Sequence, residues 1–98
     1  MNSAVFHPEA QSELIESARY YESQQGGLGH RFLDASETAL VRIQQNPQSY
    51  REIEQDIRQC RVLRFPYGLI DHIRADHIQI IAVMHLHRQP GYWRNCLQ

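Results

Sequence analysis

The densest group of reactive side chains lies near the C-terminus: His85, Arg88 and Tyr92, followed by Trp93 and Arg94. A histidine titrates close to neutral pH and serves as base or acid. An arginine fork holds a phosphate, and a tyrosine hydroxyl donates a hydrogen bond. With Arg61 added, this set supplies what metal-free RNA cleavage needs: a base for the 2′-hydroxyl, a cation for the phosphate and an acid for the leaving oxygen. The same residues also fit a structural role. In that reading His85 hydrogen-bonds within the fold, and Tyr92 and Trp93 fold back as an aromatic cover.

A second group is Arg58, Arg61 and Arg64. On one strand, alternation sends Arg58 and Arg64 to one face and Arg61 to the other, so they form no single patch without a bulge. They act either as rim residues whose stems cover apolar surface or as ligands for a partner's carboxylates or phosphates. Arg61 is the candidate for the open face, although it shares parity with Leu63 and Phe65. His85 and His87, with His72, His77 and Asp71 as further donors, raise the question of zinc. Neither a CxxC nor a His-x₃-His pair accompanies them, so no metal and no cofactor is expected. Gly26, Gly27 and Gly29 lack a following Lys-Ser/Thr and read as a helix break, not a phosphate cradle. Cys60 and Cys96 make no disulfide framework and read as unreactive thiols.

The net charge of −1 hides an asymmetry. Residues 1–56 hold four Arg and nine acids, a balance of −5, whereas residues 57–98 hold six Arg and two acids, a balance of +4. Lys is absent. An all-arginine C-terminal half points to a surface that meets an acidic partner. The near-neutral total and the lack of a reader helix argue against direct DNA binding.

The elements that must position these groups follow from periodicity. With 98 residues and 42% hydrophobic content, one folded domain over residues 1–98 is expected. Ser3–Phe6 reads as a short strand. Pro8 opens a helix to about Gln24, with Ala10, Leu14, Ala18 and Tyr21 at helical spacing and Ile15 widening the stripe. Tyr20, Tyr21 and Phe32 read as core aromatics. A second helix spans Leu28–Gln45 through Phe32, Ala35, Ala39, Leu40 and Ile43, and Asn46-Pro47 stops it. The short link predicts an antiparallel helical hairpin. Residues 46–55 read as a polar connection, with Tyr50 at the surface or rim. Strands are predicted at Ile57–Phe65, Tyr67–Arg74 and His77–Leu86, with the even positions of the last facing the core. The fold class is α+β: a short N-terminal strand and an antiparallel helical hairpin packed on a small, mostly antiparallel sheet. No apolar stretch is long enough to span a membrane, and Met1-Asn2-Ser3-Ala4 lacks the features of a secretion signal. The cytoplasm is the expected compartment.

Four motifs then occur in order: Tyr20-Tyr21-Glu22, Gly27-Leu28-Gly29 with Phe32, Arg64-Phe65-Pro66-Tyr67, and Ala82-Val83-Met84-His85 with Arg88, Pro90, Tyr92 and Trp93. Through them the chain resembles the ParE/RelE toxin superfamily of type II toxin–antitoxin systems, closer to its ParE-like branch, over nearly its whole length. The resemblance implies a small toxin silenced by a cognate, ParD-like antitoxin that wraps around it and contacts DNA on its behalf. It implies DNA gyrase as the target if the chain follows the ParE-like branch. For the RelE-like branch it implies ribosome-dependent cleavage of mRNA, with Arg61, His85, Arg88 and Tyr92 as the catalytic set. In either case Arg58, Arg61, Arg64, Arg88, Tyr92, Trp93 and Arg94 are the expected target- or antitoxin-binding residues. One position departs from the family pattern: Asp71 stands where an aromatic residue, often Tyr, is expected. An acid there either weakens an anion-binding face or pairs with a neighbouring Arg, and it leaves an inactive toxin homologue as a third reading.

Overall fold

The computed structural model describes residues 2–87 and 91–97. The chain runs β1 (Ala4–Phe6), α1 (Pro8–Gln24), α2 (Leu28–Gln45), a 3-10 turn (Pro47–Ser49), β2 (Arg51–Glu54), β3 (Ile57–Val62), β4 (Tyr67–Ile73), β5 (Ile78–His85) and a C-terminal 3-10 segment (Tyr92–Leu97). The five-stranded sheet has the order β1-β5-β4-β3-β2, with β1 parallel to β5 and every other pairing antiparallel. The expected α+β architecture is present, and both helices end where the sequence places their stops.

Local chemistry explains the hairpin. His7 caps α1 through its Nδ1, which accepts from the Glu9 backbone N–H at 3.1 Å. Gly27 takes φ +88° at the turn, a conformation glycine adopts without a Cβ clash. The Glu22 carboxylate accepts from the N–H groups of Gly27 and Gly29 at 2.9 and 3.1 Å, which ties the end of α1 to the start of α2. A Cβ at position 29 would lie 2.4 Å from the Ala18 carbonyl oxygen, so the helices approach closely only because this residue is glycine.

Between hairpin and sheet lies a core of Phe32, Ala39 and Ile43 against Cys60, Val62, Leu69, Ile78, Ile80 and Val83. Tyr21, Phe32, Phe65 and Tyr67 pack there as edge-to-face and tilted rings with centroids 5.0–6.1 Å apart. Tyr20, expected in the core, is instead 58% exposed, and Ile15 points outward at 43%. Each sits at the edge of the α1 stripe, beyond the arc that meets the sheet. Burial pushes the Cys60 thiol up, the direction of an unreactive cysteine. The Cys96 side chain lies outside the described residues.

Three sequence expectations are corrected. Residues 46–55 are not merely a connection, because Arg51–Glu54 forms edge strand β2 on β3. Its Arg-Glu-Ile-Glu sequence carries no apolar alternation, and backbone pairing with a neighbour already in place suffices. Tyr50, just before it, packs against the core. The strand beginning at Ile57 ends at Val62, not Phe65, because Arg64 enters the left-handed region at φ +73° and Phe65 N–H donates to the Val62 carbonyl.

The third correction concerns β5. Ile70 pairs with Ala82, but Asp71 pairs with Ile80, so Ile81 is an extra residue in a β-bulge. The even positions therefore do not share one face. Ile78 and Ile80 meet the helices, as does Val83, whereas Ile81, Ala82 and Met84 join Ile57, Ile70 and Trp93 in a second cluster on the other side of the sheet.

Two polar arrangements set the energetics. Beyond β1, the β5 edge is closed by α1: Glu13 Oε1 accepts from the Val83 N–H at 3.0 Å, and its Oε2 accepts from the Tyr92 hydroxyl at 2.6 Å. One carboxylate thus joins helix, sheet edge and C-terminal segment. Asp71 is 0% exposed on the helix-facing side, and neither of its oxygens has a hydrogen-bond partner among the described residues. Burial pushes its carboxyl from 3.8 up to about 7, offset in part by the Arg58 guanidinium across the strand pair.

Because Asp71 ionises near 3.9 in an unfolded chain, the native state holds its proton more tightly. The stability from this protonated carboxyl is complete below about pH 4 and is lost as pH rises through about 7. Asp71→Asn is therefore expected to gain stability relative to the parent as pH increases, by about 4 kcal/mol between pH 4 and pH 8. Urea titrations at both values check this, and a pH-independent difference contradicts it. Tyr92→Phe is expected to cost about 1–2 kcal/mol by removing a hydrogen bond to a carboxylate. Glu13→Ala is expected to cost more, because it also strands the Val83 N–H. A double-mutant cycle should give less than the sum of the two.

Candidate functional site

The arginines named from the sequence divide into those engaged within the fold and those open to a partner. Arg58 sits on the helix side of β3 and donates to the Tyr50 carbonyl at 2.9 Å, with Glu52 at 3.6 Å. It lies opposite Asp71 in register, yet its fork is drawn to Tyr50 and Glu52. Arg94 is ion-paired with Glu54 and lies 5.4 Å over the ring of Trp93. Trp93 is 3% exposed, packed on the outer sheet face with Ile57, Ile70, Ala82 and Met84. Tyr92 is half-buried, its hydroxyl committed to Glu13.

Arg61 and Arg64 are exposed. Arg61 occupies the outer face of β3, opposite Gly68, which in turn pairs with Met84. Its carbonyl accepts from Arg42 at 3.3 Å, whereas its guanidinium projects from an exposed residue. Arg64 stands in the β3–β4 turn, also exposed. Arg88 lies outside the described residues.

His85 is on the helix side, paired with Tyr67, whose ring meets it edge-on at 5.1 Å. Its Nδ1 accepts from the His87 N–H at 3.1 Å. A cleft of about 120 Å³ beside it is lined by Glu13, Glu16, Ser17, Tyr67 and Val83. The sheet therefore stands between His85 and Arg61, and the described residues do not bring the RNA-cleavage set together. His72 lies opposite Gln79, at the far end of β4 and β5 from His85. Among the described residues, no group of three or more His, Cys, Asp or Glu is placed to hold a metal ion.

Among the concave surfaces along α2, two join it to another element. One, of about 430 Å³, runs between the helices, lined by Ile15, Ala18 and Leu33 with Arg19, Glu22 and His30. The other, of about 390 Å³, lies between α2 and the β3–β4 turn, with Leu28, Ala35, Leu63 and Phe65 as apolar lining and Arg31, Asp34 and Arg64 as charged lining. Sequence reasoning named neither Arg31 nor Glu13 as a functional residue. Arg31 lies on a helix far in sequence from its groove partners. Glu13 contacts residues 70 and 79 positions away, so no local pattern marks either one. No described helix is long and apolar enough to cross a membrane.

No curated protein matches this chain in sequence. Among solved structures, it is similar to one described as the chromosomal ParDE TA system from P. aeruginosa, with a TM-score of 0.76 and 18% identity, covering 87% of this chain and 96% of that one. At that identity the likeness establishes the fold. A family model described as the ParE toxin of the type II toxin–antitoxin system parDE matches residues 4–90. With that match spanning the hairpin and all five strands, the chain belongs to the ParE toxin family of type II toxin–antitoxin systems.

Proposed function

We propose that this toxin acts in the cytoplasm by binding and inhibiting DNA gyrase without catalysing a reaction, and that a ParD-like antitoxin silences it by covering its surface. The separation of His85 from Arg61 by the sheet carries this reading. A nuclease must converge its base and its phosphate-binding cation on one scissile bond. Here the two project from opposite faces, and Tyr92 is turned to Glu13. Family membership supports a target of the ParE kind, and the open arginines supply a surface for a large acidic partner.

The groove between the helices, with exposed Ile15 and Leu33, has the apolar character that accepts an amphipathic antitoxin helix. DNA contact is assigned to the antitoxin, since this near-neutral chain has little phosphate affinity of its own. The purified toxin is expected to block plasmid supercoiling by gyrase, and equimolar antitoxin to restore it. Mapping transcript ends after induction tests the competing activity: new cleavage within translated mRNA, with gyrase unaffected, would replace this reading with the ribosome-dependent endoribonuclease. Normal growth on expression, with supercoiling and mRNA both intact, would point to an inactive homologue.

A further inference from the structure

The groove between α2 and the β3–β4 turn combines features that neither the family assignment nor the catalytic question uses. Its lining includes apolar Leu28, Ala35, Leu63 and Phe65, and Leu63 is 51% exposed. Two arginines share it. Arg31 comes from the first turns of α2, and Arg64 from the turn after β3. Among the described residues neither makes an ion pair or side-chain hydrogen bond, in contrast to Arg58 and Arg94. Asp34 is the one acid in the lining, which leaves the groove with a positive excess.

We propose that this groove seats an acidic, amphipathic segment of the cognate antitoxin, an apolar side chain of which packs on Leu63 and Phe65 while flanking carboxylates pair with Arg31 and Arg64. The inference rests on the family reading that the chain pairs with an antitoxin, and it assigns that partner a place and a chemistry. Charge complementarity selects the occupant. Arginine forks bind carboxylates bidentately, and an apolar floor between two of them rejects a uniformly polar chain. This surface lies on the flank of α2 away from the groove between the helices, so one antitoxin chain reaches both by wrapping the helix.

The backbone adds a second line. Arg64 holds φ +73°, a conformation that costs an ordinary L-residue stability and that glycine adopts freely. An arginine there places its guanidinium at the groove at the expense of the fold. If binding is its role, replacing it by glycine should separate stability from affinity.

The test uses the full-length toxin and the full-length antitoxin encoded beside it. Calorimetry at two salt concentrations gives Kd, and thermal unfolding of each toxin variant reports folding. Arg31→Glu/Arg64→Glu is expected to weaken binding by about 30-fold or more and to flatten its salt dependence. Arg51→Glu/Arg74→Glu, an equal change of net charge at exposed positions outside both grooves, should leave Kd within about 3-fold. Arg64→Gly is expected to keep or raise Tm while weakening binding. An unchanged Kd in the Arg31/Arg64 variant, with the wild type binding normally, overturns the groove assignment. So does loss of gyrase inhibition with antitoxin affinity intact, which would give the groove to the target. Failure of the wild type to bind the antitoxin at all would instead strike the pairing itself.

Discussion

One extra residue in β5 governs the layout of this molecule. Side chains on a strand alternate between faces, so a bulge at Ile81 reverses the assignment of everything after it. Ahead of the bulge, Ile78 and Ile80 pack under the helices. Past it, Val83 and His85 take that side, and Ala82 and Met84 turn outward to meet Trp93. Unbroken alternation would have placed His85 on the face that carries Arg61. The bulge thus decides both that the sheet is buried on two sides and that its one strand-end histidine is withdrawn from the open arginine.

The closure of the β5 edge follows from the same geometry. β1 is short, and its pairing with β5 ends at Ile80. An open edge invites pairing with another chain. Here the Glu13 carboxylate occupies the Val83 N–H and accepts the Tyr92 hydroxyl as well. The C-terminal segment is then held at three points: Tyr92 on Glu13, Trp93 in the outer apolar cluster and Arg94 on Glu54. This segment lies beyond residues 4–90, which the family model matches.

Charge is distributed by position more than by count. Arg58 is oriented by the Tyr50 carbonyl and Glu52, which leaves the buried Asp71 carboxyl without a hydrogen bond among the described residues although an arginine lies opposite in register. Asp71 thereby neither weakens an open anion-binding face nor forms the ion pair that its neighbour would permit. It is a buried acid whose proton the fold retains near neutrality, at a cost to stability that grows with pH. The arginines that remain available lie on two surfaces, Arg31 and Arg64 in the groove beside α2 and Arg61 on the outer face of β3, which suits recognition of an extended, wrapping partner better than chemistry at one point.

Much of the fold was legible from local pattern. The helical spacing of Ala10, Leu14, Ala18 and Tyr21, the stripe from Phe32 to Ile43, the glycine break and the Asn46-Pro47 stop fixed the hairpin, because capping and periodicity act within a few residues. The order of motifs from Tyr20 to Trp93 was enough to indicate the toxin family. What the linear pattern could not supply depends on contacts between distant segments. β2 has too little apolar alternation to be seen without the backbone of β3 beside it. The Ile81 bulge is invisible in a run of apolar residues, where either register looks satisfactory. Glu13 closes a sheet edge 70 positions away, and Arg31 meets Arg64 only after the helix lies on the sheet. Sequence alone thus determined the helical hairpin, four of the five strands and the family they build. Tertiary structure decided which side of the sheet each candidate side chain occupies and which arginines stay free, because facing and pairing are set by register and packing across the whole chain.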